Sequence, residues 1–288
     1  SAAAVDAQGK VIAFSRLLLP VEAGQRGLRQ SEAVFAHVRQ LPQVMESLMT
    51  ELPTEATIRA VCASSKPRDE ADSYMPVFQT GCGYGRGIAA ALRVPFFETT
   101  HQQGHIAAGC IGLPPLDERF LALHLSGGTT ELLLCENGRL RLVGGSLDLH
   151  AGQMVDRVGV RFPAGPELEK LAMACAYPTE ALLPASLEKD ACYCHLSGAE
   201  TRAAQLWEKR VCTPERIAAE TFDLLARTVS RMLTAGCKCY QVRQALVVGG
   251  VASSKLLRGL LQQRLNKLRS PVEVFFGAPR YSADNAAG

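Results

Sequence analysis

Apolar and polar positions along the chain alternate at two rhythms, one suited to strands and one to helices. The chain opens with two extended runs, SAAAVD and KVIAFSRLLL, around a turn at Ala7–Gly9, which predict a strand pair. Between Glu32 and Leu52, Val34, Val38, Leu41, Met45 and Leu48 recur at helical spacing. Ser31 is placed to cap that helix, and Pro42 to kink it or start a second one. Ile58–Ala63 predicts a short buried strand, followed by the polar loop SSKPRDEADSYMP. Gly81–Leu92 predicts a helix of small residues, and VPFFET a strand running into a helix near His101. Strands and helices in this order argue for an α/β layer.

Pro114–Pro115 marks a boundary, giving expected domains of residues 1–114 and 115–288. Beyond it the strand rhythm restarts as RFLALHLS, TTELLLCEN and RLRLVGGSLD, with a hairpin turn expected at Asn137–Gly138. Residues 150–235 read as mostly helical, broken by Pro163, Pro166, Pro178, Pro184 and Pro214, so the second domain carries a helical insertion at about 150–240. Gln244–Val248 predicts a strand ending in Gly249–Gly250, Ser254–Leu268 a helix, and Val272–Gly277 the last strand. Both halves set a leading β-meander before strand–helix alternation, without any sequence repeat.

With 288 residues, 47% apolar and 20% charged, the chain can fill two domains and a substantial core. Its apolar runs fall far short of the roughly 20 residues of a membrane span. Residues 1–20 lack a basic segment followed by a long apolar one, so a cytoplasmic protein with no membrane contact is expected. Ten cysteines include no CxxC pair, and several lie in apolar runs where a free thiol acts as a small hydrophobe. Cys192, Cys194 and His195 form the only dense cluster, but CxC is poor zinc spacing. The formal net charge of +3 is too mild to argue for nucleic acid, and Arg264, Lys267 and Arg269 read as solvated helix-face charges.

Candidate chemistry begins in FETTHQQGHIAAG. His101 and His105 stand four residues apart on an expected helix, so both imidazoles reach one side and can share a metal ion, although the same spacing also serves packing. Zinc proteases with HExxH place a water-activating Glu after the first His; Gln102 cannot take that proton, which argues against a protease. A metal needs a third donor, and Asp284, after the last strand, can supply it. LSGGTTE, Leu125–Glu131, sets two glycines between strands, which suits either a plain turn or an approach to phosphate. VVGGVASSKLLR sets a glycine pair between a buried strand and a helix, whose free N–H groups would face a phosphate. Asp156 in AGQMVDR is either a helix-face residue or a partner for a ribose or a cation, and PAGPE is a kinked helix start.

HxxxH, SGG-T after a strand, GxxxDR with PxGP, strand-GGVA-helix and Y-x-x-DNAA occur in an order that resembles the tRNA N6-adenosine threonylcarbamoyltransferase family, formerly labelled glycoprotease or O-sialoglycoprotein endopeptidase. The resemblance runs from about residue 1 to 288. It implies an α/β, two-lobed fold like actin, heat-shock chaperone ATPases and sugar kinases, with the ligand in a cleft between the lobes. It implies one divalent metal ion, iron or zinc, held by His101, His105 and Asp284. The family's SGG segment falls on Leu125, Ser126, Gly127, Gly128 and Thr129, the Asp of its GEAFDK on Asp156, and the second Gly of its PGGP on Gly165. Glu169 stands where the family often has Asp, Gly249 and Gly250 carry the GGVA turn, and the Asn of GGVAAN falls at Ser254. The implied reaction passes a threonylcarbamoyl group from an adenylate to adenosine N6 of tRNA. The SGG and GGVA turns would hold the adenine nucleotide, and no protein nucleophile is needed. A homologous dimer partner and an ATPase of the same pathway are the implied partners.

This sequence departs from the family pattern at several positions. Gln153 replaces the Glu of GEAFDK, Thr129 a His or Asn, Ala164 the first Gly of PGGP, Glu200 the Lys of SFSGLKT, and Ser254 the Asn. Two function classes therefore stay open: an active transferase, and a divergent paralogue that binds metal or nucleotide as a scaffold. The retained His pair favours the first.

Overall fold

A computed structural model describes residues 1–19, 28–159, 164–175, 181–282 and 286–288. The chain forms two compact units, Ser1–Ile111 with Ala283–Gly288, and Gly112–Ser282.

In the first unit β1 (Ala2–Val5) pairs antiparallel with β2 (Val11–Ser15). The Asp6 carboxylate fixes the turn by accepting the N–H groups of Gln8 at 3.0 Å and Lys10 at 2.9 Å. Helix α1 (Gln30–Glu51) runs through Pro42 as one element, so no second helix starts at that proline. It starts at Arg29 rather than Ser31, because the Glu32 carboxylate accepts the Arg29 N–H at 3.1 Å. Its buried side is Ala33, Val44 and Leu48, which leaves Val38 exposed, contrary to the expected apolar face. Strand β3 (Val61–Lys66) lies further along than Ile58–Ala63. Its register is set by parallel pairing of Val61 with Phe96 in β4 (Phe96–Thr100), and the Val61 N–H donates to the Pro95 carbonyl at 3.0 Å. Between them, α2 (Pro76–Leu92) begins at a proline in its first turn rather than at Gly81. A Cβ on Gly85 would stand 2.9 Å from the Phe96 ring and 3.3 Å from Ala63, so the missing side chain lets α2 lie close on β3. Helix α3 (His101–Cys110) follows β4 directly.

The second unit is built on one seven-stranded sheet. Its antiparallel meander is β5 (Arg119–Leu125), β6 (Thr130–Glu136) and β7 (Arg139–Ser146). Asn137 and Gly138 at φ 51° and 73° turn the expected hairpin. Then come α4 (Ala151–Val158), α5 (Gly165–Met173), β8 (Ser186–Leu187), β9 (Tyr193–His195), α6 (Ser197–Glu208) and α7 (Pro214–Tyr240). The chain closes with β10 (Gln244–Val248), a 3-10 turn at Val251–Ser253, α8 (Lys255–Lys267) and β11 (Glu273–Phe276). The sheet order is β11-β10-β5-β6-β7-β9-β8, with β10 parallel to both β5 and β11. Strands β8 and β9 are not expected from the sequence; each is too short to show a rhythm, and β9 is held by pairing with β7. Pro163 and Pro178, two of the expected breaks, lie outside the described residues.

The core follows from α7. Phe222, Leu224, Leu225, Met232 and Leu233 on it are at most 2% exposed and pack in one cluster with Leu121, Leu123, Leu132 and Leu134 of the sheet. Burying a side chain of this size contributes about 1.5–3 kcal/mol. Helix α8 is pinned to α7 by Asp223, whose carboxylate takes Arg227 at 2.8 Å and Arg264 at 2.5 Å. Among the described residues, no helix is long and apolar enough to cross a membrane.

Candidate metal centre and glycine-turn site

In the first unit, TTHQQGH folds as a capped helix start. The Thr100 hydroxyl accepts the Gln103 N–H at 3.1 Å, and the Gln103 side-chain carbonyl accepts the Thr100 N–H at 3.0 Å. This box sets His101 in the first turn of α3 and His105 one turn on. Their Nε2 atoms come within 3.1 Å and their ring centroids within 4.4 Å; His105 is 8% exposed, and Phe78 packs 5.2 Å from the His101 ring. Two imidazole nitrogens each about 2.1 Å from one metal ion stand about 3.0–3.4 Å apart at octahedral to tetrahedral angles. The observed separation fits that range.

Asp284 lies outside the described residues. Four positions on, Gly288 lies against α3; a Cβ there would overlap the Gly104 carbonyl and the Ala108 N–H. Among the described residues, no group of three or more His, Cys, Asp or Glu side chains is placed to hold a metal. Chiefly through burial, with Asp190 and Cys239 adding to it, the Cys192 thiol is pushed up to about 11. Burial, helped by Asp148, likewise pushes Cys194 up to about 11 against the pull of Ser146. His195 Nε2 meets Glu188 at 2.7 Å, so in this arrangement the imidazole is paired with a carboxylate rather than with the two thiols. None of the ten cysteines is in a disulfide.

In the second unit, the glycine turns meet at the carboxyl ends of adjacent parallel strands, where open α/β sheets place ligands. The Ser126 N–H donates to the Thr129 carbonyl at 2.8 Å, closing the β5–β6 turn. Gly152 at the start of α4 backs that turn: its N–H donates to the Ser126 carbonyl at 3.1 Å, and a Cβ on it would stand 2.6 Å from the Gly127 backbone. The Thr130 hydroxyl accepts the Ala151 N–H at 2.7 Å. On the other side, Gly249 takes φ +102°, and a Cβ there would overlap the Leu125 carbonyl. Neither Gly127 nor Gly128 has an atom within 4 Å of where a Cβ would be, so the SGG face is open.

The remaining sequence candidates are engaged within the fold. Asp156 accepts the Ala164 N–H at 2.8 Å and holds the corner before α5, and Gly165 opens that helix against Val155. Glu169 accepts the Leu256 N–H at 2.8 Å, while the Ser254 hydroxyl accepts the Leu257 N–H at 3.0 Å. The amides expected to be free for phosphate at the start of α8 therefore already carry a carboxylate and a hydroxyl. A 3-10 turn also separates Gly250 from the helix, with the Ser253 N–H on the Gly250 carbonyl at 3.2 Å. Gln153 accepts the His150 N–H at 3.3 Å, an acceptor role that a Glu would also fill. Sequence reasoning missed Asp148, which accepts the N–H groups of Leu196 at 2.8 Å and Ser197 at 3.3 Å and the Ser197 hydroxyl. Partial burial alone would raise its carboxyl, but these donors, with the Leu149 N–H, bring it down to about 2.

Solved structures with the same architecture include HypF of T. kodakarensis, at TM-score 0.60 and 12% identity over 88% of this chain. A ROK family glucokinase from Streptomyces griseus in complex with glucose and AMPPNP matches 97% of this chain and 92% of its own, at TM-score 0.53 and 10% identity. This chain spans only 42% of that HypF. These likenesses show that the chain shares the α/β fold of HypF and of a sugar kinase, in line with the expected fold class. The sequence model of the tRNA N6-adenosine threonylcarbamoyltransferases matches residues 21–288. Proteins of that name in Thermus thermophilus and Legionella pneumophila are 33% and 28% identical, over 87% and 83% of this chain and 75% and 74% of theirs. The chain belongs to the tRNA N6-adenosine threonylcarbamoyltransferase family, a family of transferases.

Proposed function

We infer that this protein transfers a threonylcarbamoyl group from threonylcarbamoyl-AMP to N6 of an adenosine in the tRNA anticodon loop, in a metal-dependent reaction in the cytoplasm. The observation that carries this reading is the convergence of His101 and His105 Nε2 at 3.1 Å on a capped helix. They would hold one iron or zinc ion with Asp284, and the ion would supply Lewis-acid polarisation of the acyl carbonyl. The open SGG face, Leu125–Thr129, with Gly249 and Gly250 beside it, would seat the adenylate. Asp156, Gly165, Glu169 and Ser254 would line the nucleotide's ribose side; the bonds described use one oxygen of each carboxylate. Adenosine N6 would form the new bond to the carbamoyl carbon and lose a proton, while AMP leaves with the electron pair of the broken bond. Gln102 offers no base for peptide hydrolysis. Phe35, Val38 and Met49, exposed on α1, give the implied homologous partner an apolar surface to cover.

A second reading, a scaffold that binds without transfer, is favoured by one observation: the α8 terminus is occupied by Glu169 and Ser254. The two separate in one series. Metal per chain is measured by mass spectrometry on protein purified without chelator, beside His105→Ala, followed by transfer of labelled threonylcarbamoyl to tRNA with the partners present. The transferase reading expects about one iron or zinc per chain, lost in the variant together with transfer. Metal without transfer selects the scaffold, and no metal in either protein ends the metal-dependent mechanism.

A further inference from the structure

Helix α6 turns Glu200, Ala203, Ala204, Trp207 and Glu208 to one side, the stripe that helical geometry makes from positions three and four apart. Small side chains at Ala203 and Ala204 leave a dent in the middle of that stripe. Across it stand Arg157 and Gly159 at the end of α4. The two walls line an open pocket of about 210 Å³, on the order of seven water volumes. That is small beside most cofactor sites but ample for a small metabolite.

The chemistry of the walls is opposed. The α4 wall carries a guanidinium. The α6 wall carries two carboxylates beside a tryptophan face that is 48% exposed. Among the described residues, Arg157, Glu200 and Glu208 form no ion pair with one another or with any other side chain, although they line the same space. A purely anionic ligand would meet two carboxylates, and a purely cationic one would meet Arg157. A dipolar ligand satisfies both walls, its anionic end paired with the guanidinium and its cationic end with the carboxylates and the indole face.

We propose that this pocket binds a small free amino acid as its zwitterion, with the α-carboxylate toward Arg157 and the α-ammonium toward Glu200 and Glu208. Neutral and basic amino acids fit the net charge of the walls, and acidic ones do not. None of the residues that line this pocket is among those proposed to hold the metal or the adenylate.

The chain contains one tryptophan, Trp207, so its fluorescence reports on this pocket alone. The full chain is titrated with L-alanine, L-lysine and L-glutamate, and with acetate and methylammonium, at constant ionic strength. Saturable changes in emission are expected with alanine and lysine, with glutamate and both single-charge ions at least about tenfold weaker. Arg157→Gln and Glu200→Gln change exposed or half-buried groups and should keep the wild-type circular dichroism while each weakens binding about tenfold or more. Arg157→Lys, which keeps the charge, should retain most of it. A linear or absent response to every amino acid, an equal response to methylammonium or acetate, or unchanged binding in Arg157→Gln would overturn the proposal.

Discussion

The second unit sets β5-β6-β7, α7, β10, α8 and β11 in that order, and the first sets β1-β2, α1, β3, α2 and β4. In both, an antiparallel meander precedes a long helix and a parallel strand pair, and the long helix packs on the next one. The difference is β5. It joins the meander to the parallel pair in the second unit, whereas among the described residues of the first no strand joins β1-β2 to β3-β4. The core follows that difference. The largest fully buried side chains, Phe222 and the leucines of β5 and β6 among them, all lie in the second unit, while the first leaves Phe35 64% and Phe97 57% exposed. The candidate chemistry divides in the same way. The glycine turns of the second unit are fixed by backbone contacts at strand ends, and the histidines of the first by a helix cap.

The comparison breaks first at Gly249. Alanine there meets both a positive φ and the Leu125 carbonyl, so Gly249→Ala should cost about 3–5 kcal/mol in urea unfolding. Gly250→Ala meets nothing within 4 Å and should cost under about 1 kcal/mol. Equal midpoints for the two variants would mean that the end of β10 does not press on β5. Next in size is the contrast between the sheets. Amides of β5, β6 and β10 should exchange at least about a hundredfold more slowly than those of β1 to β4, because the latter open without breaking the main core. Comparable protection in the two units would show that the split sheet is no weaker than the continuous one.

What the sequence makes legible follows the same divide between local and distant causes. Gln244–Val248 is readable to the residue because an apolar run ends at a glycine pair, and the Asn137–Gly138 hairpin because its turn chemistry is local. The spacing of His101 and His105 is readable for the same reason. Strand β3 is misplaced because its limits come from pairing with Phe96, not from its own apolar run. The start of α8 reads as open because the group that fills it, Glu169, stands 87 residues away. Asp148 carries no local signal, since its donors at Leu196 and Ser197 are 48 and 49 residues distant.

Asp148 tests whether the second unit is also held at its edge. Its carboxylate joins the end of β7 to the start of α6, and Asp148→Asn should lower stability by about 1–2 kcal/mol, the low end for charged hydrogen bonds because the group is partly exposed. The pH dependence has a definite sign. The folded carboxyl lies near 2, below its ordinary value of about 3.9, so its contribution is whole above about pH 4 and is lost as pH falls toward 2. Wild-type and variant stability should therefore converge across that window. A constant gap down to pH 2 would assign the loss to packing rather than charge.

The smallest effect bears most directly on the glycine turns. A helix start attracts anions because its N–H groups lack partners and its dipole is positive there, and Glu169 supplies that negative charge from within the chain. Glu169→Ala should cost about 1 kcal/mol, the usual worth of a lost cap. The informative arm is added anion. If Glu169 sits where a phosphate would, inorganic phosphate should raise the melting temperature of Glu169→Ala and leave wild type nearly unmoved, because in wild type the place is taken. Equal stabilisation of both proteins would put the anion elsewhere, at the open SGG face, and leave Glu169 as a cap that no ligand displaces.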